Sequence, residues 1–304
     1  MRRFIVLGLL VTSCVPAQTA PDSTTTSTTA VVTTTSLLAE TSTTTSSAVS
    51  TTVPSPGSVL VLGDWGSGTA DEKAVAVAMA DFAEANPIHA VLTTGDNFYS
   101  DDAELLLEPM HWISDQGIEF WISWGNHDVE TSRRVQVVEE AFGSPPRWTV
   151  HDWGEVDVVI LDSNQVSSAD QLEFLTETME GSDDPAIVVF HHPPLSCSSH
   201  GDTLSVLQNW VPRFDDDVVL VLSGHDHNYQ RFEDSGISYV VSGGGGQTLY
   251  ELTSCPADHP ERLAGEMVHH FLVLAQDEEK ILVGAVDVNG RTIDSFVVPL
   301  GGGE

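Results

Sequence analysis

The chain has 304 residues, 41% of them hydrophobic, which is enough length and apolar material for one large domain or two of average size. Its 45 acidic residues against 11 lysines and arginines give a formal net charge of −34, and Lys73 and Lys280 are its lysines. Such a charge repels DNA, RNA and anionic lipid head groups, and this argues against a nucleic-acid-binding protein.

The N-terminus has the order of an export signal. Arginines at positions 2 and 3 precede an apolar run over residues 4–11, which is too short to span a bilayer. The sequence VTSC at residues 11–14 resembles a bacterial lipobox, in which the cysteine carries lipid after cleavage. We therefore predict that residues 1–14 are a signal peptide with a lipobox-like end. The protein would be exported, either as a cell-surface lipoprotein anchored through Cys14 or as a secreted protein.

A polar segment separates this signal from the rest of the chain. Residues 22–53 contain 21 serines or threonines in 32 positions and show neither helical nor strand periodicity. Such a segment cannot bury enough apolar surface to order itself. We predict a disordered Ser/Thr-rich linker over residues 15–56 and one globular domain over residues 57–304. An exported domain would retain Cys197 and Cys255, for which the sequence leaves open a disulfide or two free thiols.

Strands and helices alternate through the first part of this domain. Apolar runs predict strands at residues 58–62, 89–94, 119–124, 156–161, 186–190 and 218–222. Helical spacing of apolar residues predicts helices at residues 70–85, 102–116 and near 169–179. Four further strands, without helices between them, are predicted at residues 237–242, 268–275, 280–286 and 292–298. This order predicts an α/β fold with one mixed sheet or a pair of packed sheets.

Five polar clusters, each directly after an apolar run, carry residue types that bind hard or borderline metal ions. They are Gly63-Asp64-Trp65-Gly66, Gly95-Asp96-Asn97-Phe98-Tyr99, Gly125-Asn126-His127-Asp128, His191-His192-Pro193 and Gly224-His225-Asp226-His227-Asn228. Their ligand types are carboxylate, amide oxygen, imidazole and phenolate. A single Gly-Asp after a strand is usually a turn. All five in this order, at the strand ends where α/β sheets form their sites, predict a metal centre instead.

These clusters resemble those of the calcineurin-like metallophosphoesterases, and most of all the purple acid phosphatases of the small, tartrate-resistant type. The resemblance covers residues 58–245. Gly66 stands where many members of the superfamily have a histidine ligand, and Tyr99 stands three residues after the second aspartate, as in the purple acid phosphatases. The resemblance implies two packed mixed β-sheets flanked by helices, an α/β/β/α sandwich, and a metallophosphoesterase catalytic domain over residues 57–304.

The resemblance also implies a dinuclear metal centre. The first site would take Asp64, Tyr99 and His227, the second would take Asn126, His191 and His225, and Asp96 would bridge the two. The anionic first set suits Fe(III), with a purple colour from tyrosinate-to-iron charge transfer, and the second set suits Fe(II), Zn(II) or Mn(II).

Two pairs of histidines bear on this assignment. His191 aligns with the family ligand, whereas strand alternation would point His192 to the opposite side, so that His192 is assigned to the substrate pocket. His225 and His227, two residues apart, would face one side if their strand continued.

The function implied is an acid phosphatase that hydrolyses phosphate monoesters by attack of a metal-bound hydroxide. His127 and His200 are the candidate catalytic and substrate-binding histidines, with His127 as the preferred proton donor to the leaving group. The alternative for the His127 side chain is a hydrogen bond to Asp96 or Asp128. Competing functions are a phosphodiesterase of the same superfamily and a non-catalytic, metal-containing surface binding protein.

Few groups other than metals and histidines are available to bind phosphate. No lysine lies near any of the five clusters, and Arg231 is expected to pair locally with Glu233 or Asp234. We expect the partner to be a small phosphorylated substrate and no nucleic acid to bind. Contact with a membrane would occur only through a lipid on Cys14.

Overall fold

The computed structural model describes residues 56–301, whose strands form two mixed β-sheets. The predicted signal peptide, Cys14 and almost all of the predicted linker lie outside the described residues. Within the described part of the chain, no helix combines the length and the apolar character needed to cross a bilayer.

The first sheet contains six strands, of which the three neighbours at one side are parallel. In spatial order they are β13 (Thr292–Pro299), β12 (Lys280–Asp287), β11 (His270–Gln276), β1 (Ser58–Leu62), β2 (Ile88–Thr93) and β3 (Glu119–Trp121). The parallel strands are β1, β2 and β3, and the C-terminal strands β11, β12 and β13 extend the sheet as an antiparallel meander beside β1.

The second sheet contains seven strands. In spatial order they are β10 (Ala264–Glu266), β8 (Tyr229–Asp234), β9 (Ile237–Ser242), β7 (Val218–Ser223), β6 (Ala186–Val189), β5 (Asp157–Ile160) and β4 (Thr149–Asp152). Its parallel core is β5, β6, β7 and β9, and β4, β8 and β10 pair antiparallel at its margins.

Helices connect the parallel strands. They are α1 (Ala70–Ala85), α2 (Ala103–Leu107), α3 (His111–Asp115), α4 (Ser132–Phe142), α5 (Ala169–Gly181) and α6 (Leu204–Asn209), with 3-10 turns at Glu108–Met110, Ser163–Gln165 and Val211–Arg213. Pro109 divides the helix predicted at residues 102–116, because proline has no N–H to continue the ladder. Helix α4 was not predicted from the sequence, although Thr131 caps its start and Gly143, with φ 73°, ends it.

Alternation along the strands builds four layers. In β1, Val59 and Val61 join the core cluster that lies between the sheets, where Leu222 of β7 also packs. Leu60 points the other way and packs in a cluster with Met79 of α1. On the outer face of the second sheet, Val188 of β6 packs in a third cluster with residues of α5 and α6. The predicted fold class, two packed mixed sheets flanked by helices, is confirmed.

A disulfide joins Cys197 and Cys255, the pairing that the sequence left open. It links the loop after β6 to the loop that follows β9. The same junction is held by two hydrogen bonds to the carbonyl oxygen of Cys197, from Thr253 N at 2.9 Å and from Arg262 Nη1 at 3.1 Å.

Replacing both cysteines by alanine is expected to lower the free energy of unfolding by about 2–4 kcal/mol, because the bond closes a long loop and restricts the unfolded chain. The sequence separation of the two cysteines is 58 residues. Urea denaturation followed by circular dichroism measures the change. A reducing agent should lower the midpoint of the wild type and leave that of the double variant where it is. Equal midpoints for the oxidised wild type and the double variant would contradict the prediction.

Candidate metal centre

All seven side chains predicted as metal ligands meet at the carboxyl ends of parallel strands in both sheets. Asp64, Asp96 and Asn126 lie beyond the ends of β1, β2 and β3 of the first sheet, and Tyr99 follows Asp96 in the same loop. His191 lies beyond β6, and His225 and His227 beyond β7, in the second sheet. The site therefore lies where the C-terminal edges of the two sheets come together.

The first group consists of Asp64, Asp96, Tyr99 and His227. The Tyr99 hydroxyl lies 3.1 Å from Asp64 Oδ1, 3.2 Å from Asp96 Oδ2 and 3.3 Å from His227 Nε2. His227 Nε2 also lies 3.3 Å from Asp64 Oδ1. Four oxygen and nitrogen atoms thus converge on one small region, as the ligands of a single cation would.

The second group consists of Asp96, Asn126, His191 and His225. His191 Nε2 lies 3.1 Å from Asn126 Oδ1, 3.3 Å from Asp96 Oδ2 and 3.2 Å from His225 Nδ1. One carboxylate oxygen, Asp96 Oδ2, therefore belongs to both groups, in the position that a bridging ligand would occupy.

Backbone carbonyls orient two of the histidines. His191 Nδ1 lies 3.0 Å from the carbonyl oxygen of Thr94, and His227 Nδ1 lies 2.7 Å from that of Thr248. A proton on each Nδ1 satisfies these carbonyls, so Nε2 is the ring nitrogen directed into the site. This is the usual arrangement of imidazoles that bind metal ions.

The backbone is unusual at three of these positions. Asp64, Asp96 and His225 have positive φ angles of 57°, 50° and 70°, a region that residues other than glycine rarely occupy. Such a conformation costs on the order of 1–3 kcal/mol, and the surrounding structure must impose it. Its recurrence at three strand ends that face one another is a mark of a functional site.

Glycines make room for the two buried carboxylates. A Cβ at Gly125 would overlap Asp96 Oδ1, and a Cβ at Gly243 would lie 2.7 Å from Asp64 Oδ2. Main-chain N–H groups take up the space left by the missing side chains. His127 N donates to Asp96 Oδ1 at 2.8 Å and His225 N donates to Asp64 Oδ2 at 2.9 Å. The second oxygen of each carboxylate remains directed toward the ligand groups.

The charges of the site call for a cation. Burial alone would raise the pKa of Asp96, but the adjoining His191 holds that pKa well below its usual range. Burial lowers the pKa of His191, yet Asp96 outweighs it and raises the pKa to about 9. Burial, together with Asp64 and Asp96, raises the pKa of the Tyr99 hydroxyl well above its usual value. The proton on Tyr99 keeps that side chain neutral and the proton on His191 offsets one carboxylate charge; bound metal ions would displace both protons.

The imidazoles of His192 and His225 are held neutral. Burial and the neighbouring positive charge of His191 lower the pKa of His225 to about 2 and that of His192 to about 3. A neutral imidazole is the form that binds a metal ion. The chemistry of the donors, their burial and their mutual distances therefore fit a dinuclear centre.

The three histidines predicted for substrate or catalysis surround the two groups. The His127 ring lies 4.6 Å from the Tyr99 ring, and its Nδ1 is 3.5 Å from Glu130 rather than bonded to Asp96 or Asp128. The structure therefore does not show the alternative role of the His127 side chain, a hydrogen bond to Asp96 or Asp128.

His192 is a correction to the sequence analysis. It was predicted to point away from His191, but ligand atoms of His191, His192 and His225 lie within 4.8 Å of one another. Strand β6 ends at Val189, so strand alternation no longer applies at these residues. The Nδ1 of His192 lies 2.7 Å from Ser163 Oγ, and this contact sets the direction of its ring.

Two further contacts escaped the sequence analysis. The Tyr250 ring stacks on the His227 ring at 4.1 Å and lies 5.3 Å from the His200 ring, which makes it a wall of the site. It comes from a loop without regular structure, where sequence patterns carry no signal. Arg231 was expected to pair with Glu233 or Asp234, but it pairs instead with Asp294 of β13, at 2.6 Å. A contact between two sheets cannot be inferred from local sequence.

The fold agrees with the comparison with known families. A model of the calcineurin-like phosphoesterases matches residues 57–229, and the chain belongs to this family. Membership supports a hydrolase that acts on phosphate esters.

Among characterised proteins the chain is similar to purple acid phosphatases, as its motifs predicted. It is 27% identical to purple acid phosphatase 3 of Arabidopsis thaliana over 62% of this chain and 63% of that protein. It is 28% identical to purple acid phosphatase 4 of the same plant over 79% of this chain and 82% of that protein. It is also 26% identical to the tartrate-resistant acid phosphatase type 5 of Oryctolagus cuniculus, over 61% of this chain and 72% of that protein.

Solved structures show the same fold. A purple acid phosphatase from yellow lupin seeds superposes with a TM-score of 0.69 at 17% identity, over 79% of this chain and 53% of that chain. GAP50, described as the anchor in the inner membrane complex of Plasmodium, superposes with a TM-score of 0.68 at 18% identity, over 80% and 89%. At these identities the likeness concerns the fold alone.

Replacing Gly125 by alanine is expected to lower metal affinity by about tenfold or more, because the new methyl group displaces the Asp96 carboxylate. Metal content after dialysis against a chelator-buffered metal solution measures the loss. Gly284→Ala is the matched control, since a Cβ at Gly284 of β12 meets nothing within 4 Å. Equal metal retention by the two folded variants would show that the position of Asp96 does not govern binding.

Proposed function

We propose that this protein is an exported, metal-dependent acid phosphatase that hydrolyses phosphate monoesters at a dinuclear centre. The observation that carries the proposal is the position of Asp96 Oδ2, which lies 3.2 Å from the Tyr99 hydroxyl and 3.3 Å from His191 Nε2. One buried oxygen shared by two ligand groups is an arrangement suited to two cations a few ångströms apart.

In this proposal the two groups hold different ions. Asp64, Tyr99 and His227 would hold Fe(III), and Asn126, His191 and His225 would hold Fe(II), Zn(II) or Mn(II), with Asp96 between them. When bound, the two cations supply Lewis-acid polarisation of the phosphate and activation of water as the nucleophile.

The histidines of the rim would act on the substrate. The side chains of His127 and His200 are each 40% exposed, so that both can meet a substrate that enters from solvent. His192 lies beside His225, with ring centroids 4.6 Å apart, and can contact the phosphoryl oxygens. The sequence favoured His127 as the proton donor to the leaving group; we propose instead that His200 donates this proton and that His127 helps to bind the phosphate.

Lysine and arginine side chains do not take the place of these histidines in binding the phosphate. Within residues 56–301 no lysine or arginine hydrogen-bonds any of the seven ligand side chains. Arg134 donates to the carbonyl oxygens of Phe98 and His127 and not to a ligand side chain. Arg134 pairs with Asp101 at 3.0 Å and Arg231 with Asp294. Cations and imidazoles are therefore proposed to provide all of the charge that holds the substrate phosphate.

Two features support export. The first 14 residues have the pattern of a signal with a lipobox-like end. The Cys197–Cys255 disulfide belongs to an oxidising compartment, where such bonds form and persist. Cell-surface attachment through a lipid on Cys14 is the form of export that we propose.

The reaction is tested with a pair of related esters. The metal-loaded protein should hydrolyse p-nitrophenyl phosphate with a kcat/KM about 100-fold or more above that for bis(p-nitrophenyl) phosphate, since the diester carries one negative charge instead of two and has no third free oxygen for the histidines of the rim. Removal of the metals should abolish hydrolysis and their return should restore it. A preference for the diester would make the protein a phosphodiesterase, and no hydrolysis of either ester would favour a binding function.

The iron assignment is tested by absorption spectroscopy. The iron-loaded protein should show a visible tyrosinate-to-iron band, and Tyr99→Phe should lose it because the phenolate is gone. Tyr250→Phe is the matched control, since Tyr250 stacks against the back of the His227 ligand and is proposed to bind no metal. A band that survives in Tyr99→Phe, or a purified protein without iron, would reject this subclass while leaving the phosphoesterase family in place.

A further inference from the structure

We infer that Asp226 is a positioning residue for the reaction: its buried carboxylate fixes the ring of His200 so that Nε2 of this histidine faces the leaving group. The inference rests on the proposed function of the site. It adds a residue that neither the sequence motifs nor the ligand set assigns to catalysis.

The contact between the two residues is double. Asp226 Oδ1 lies 3.0 Å from His200 Nδ1 and accepts a hydrogen bond from the main-chain N–H of His200 at 3.1 Å. The first contact places a proton on Nδ1, and the second fixes the backbone from which the ring projects. Because the side chain of Asp226 is fully buried, water does not compete for this oxygen.

The other oxygen of the carboxylate is fixed as well. Ser196 Oγ donates to Asp226 Oδ2 at 2.5 Å, and Gln230 Nε2 donates to Ser196 Oγ at 2.9 Å. Gln230 Oε1 in turn accepts from the N–H of Cys197 at 2.8 Å. The carboxylate can therefore neither rotate nor move away from His200 without breaking a buried chain of hydrogen bonds.

The position of Asp226 in the sequence, between two proposed metal ligands, links His200 to those ligands. His225 and His227 flank it and enter different ligand groups, so the same short turn delivers both ligands and the carboxylate. The His200 ring stacks near the His225 ring, with centroids 4.0 Å apart. With Nδ1 held by Asp226, Nε2 is the ring atom left to meet a substrate.

The His127 ring is oriented by a weaker contact than the His200 ring. Its ring nitrogen lies 3.5 Å from Glu130, a carboxylate whose side chain is 59% exposed. An exposed pair of this kind holds a geometry only weakly. The difference in burial between Asp226 and Glu130 is the reason to place the proton transfer at His200.

Water adds its oxygen to phosphorus and releases one proton to solvent, while the bond from phosphorus to the ester oxygen breaks and the proton on His200 Nε2 moves to that ester oxygen. The products are the free alcohol and inorganic phosphate, and His200 regains a proton from solvent. A leaving group that is already a stable anion needs no such proton.

The test therefore compares an alkyl phosphate with 2,4-dinitrophenyl phosphate in the metal-loaded, full-length protein. Asp226→Asn and His200→Ala should each lower kcat for the alkyl ester by about 100-fold, with little change in KM and less than about threefold loss for the dinitrophenyl ester. The double variant should be no slower than His200→Ala, since the two residues act as one unit. Ser196→Ala should show the same pattern with a smaller loss.

Asp128→Asn is the matched control. Asp128 is equally buried and adjoins the ligand loop, but its partners are the N–H groups of Asn97, Phe98 and Gly125 rather than a histidine. Its replacement should reduce the hydrolysis of both esters alike and lower metal content. The same uniform pattern for Asp226→Asn would overturn the inference, because it would show that Asp226 only supports the metal site.

Failure of the proposed function has a different signature. A His200→Ala variant that loses both esters equally would remove the proton-donor role, and a wild type that hydrolyses neither ester would remove the phosphatase activity. A crystal structure of metal-loaded Asp226→Asn tests the positioning without activity. The His200 ring should leave its wild-type orientation, and a ring that stays in place would contradict the inference.

Discussion

Four buried carboxylates at the junction of the two sheets impose the constraint on which the rest of this structure depends. Asp64, Asp96, Asp128 and Asp226 are each at most 1% exposed, and a buried charge is stable only when it is paired. Two of them are satisfied by the protein: Asp128 by three main-chain N–H groups and Asp226 by Ser196 and His200. Asp64 and Asp96 each keep one oxygen directed toward the ligand groups.

The need to hold Asp64 and Asp96 with one free oxygen each explains the glycines and backbone angles around them. Close approach to the carboxylates requires glycine at positions 125 and 243, and main-chain donors at His127 and His225 replace the missing side chains. The positive φ angles of Asp64 and Asp96 turn the carboxylates back over the ends of their strands. Each feature is costly alone and is maintained because the packed sheets hold the ends of their strands in place.

Much of the fold and of the candidate site could be predicted from the sequence, because the signals lie in short stretches of neighbouring residues. An apolar run that ends in Gly-Asp or Gly-Asn-His marks a strand end with a ligand, and the strand ends of parallel sheets meet. Gly66 and Tyr99 predicted the similarity to purple acid phosphatases that the comparison found. The helix at residues 70–85 was predicted with its observed bounds, since apolar side chains recur with helical spacing.

What could not be predicted depends on conformation beyond the strands. His225 has φ 70°, so strand alternation, which would place His225 and His227 on one face, does not apply there; their division between two groups was implied by the family resemblance and not by strand periodicity. The same loss of regularity brings His192 to the side of His191. Tyr250, the Cys197–Cys255 disulfide and the pairing of Arg231 with Asp294 join segments distant in sequence. Such pairings exist only once the sheets have packed.

The division of the ligands between the sheets has a consequence for how the molecule assembles. The first group combines Asp64, from the sheet that begins the domain, with His227, from the other sheet, and the second group combines Asn126 with His191 and His225. Neither half of the chain carries a complete set. A complete set of ligands therefore exists only after β7 and the turn that follows it have been synthesised. Cations bound there would link the two sheets, and their binding energy would resist separation of the halves.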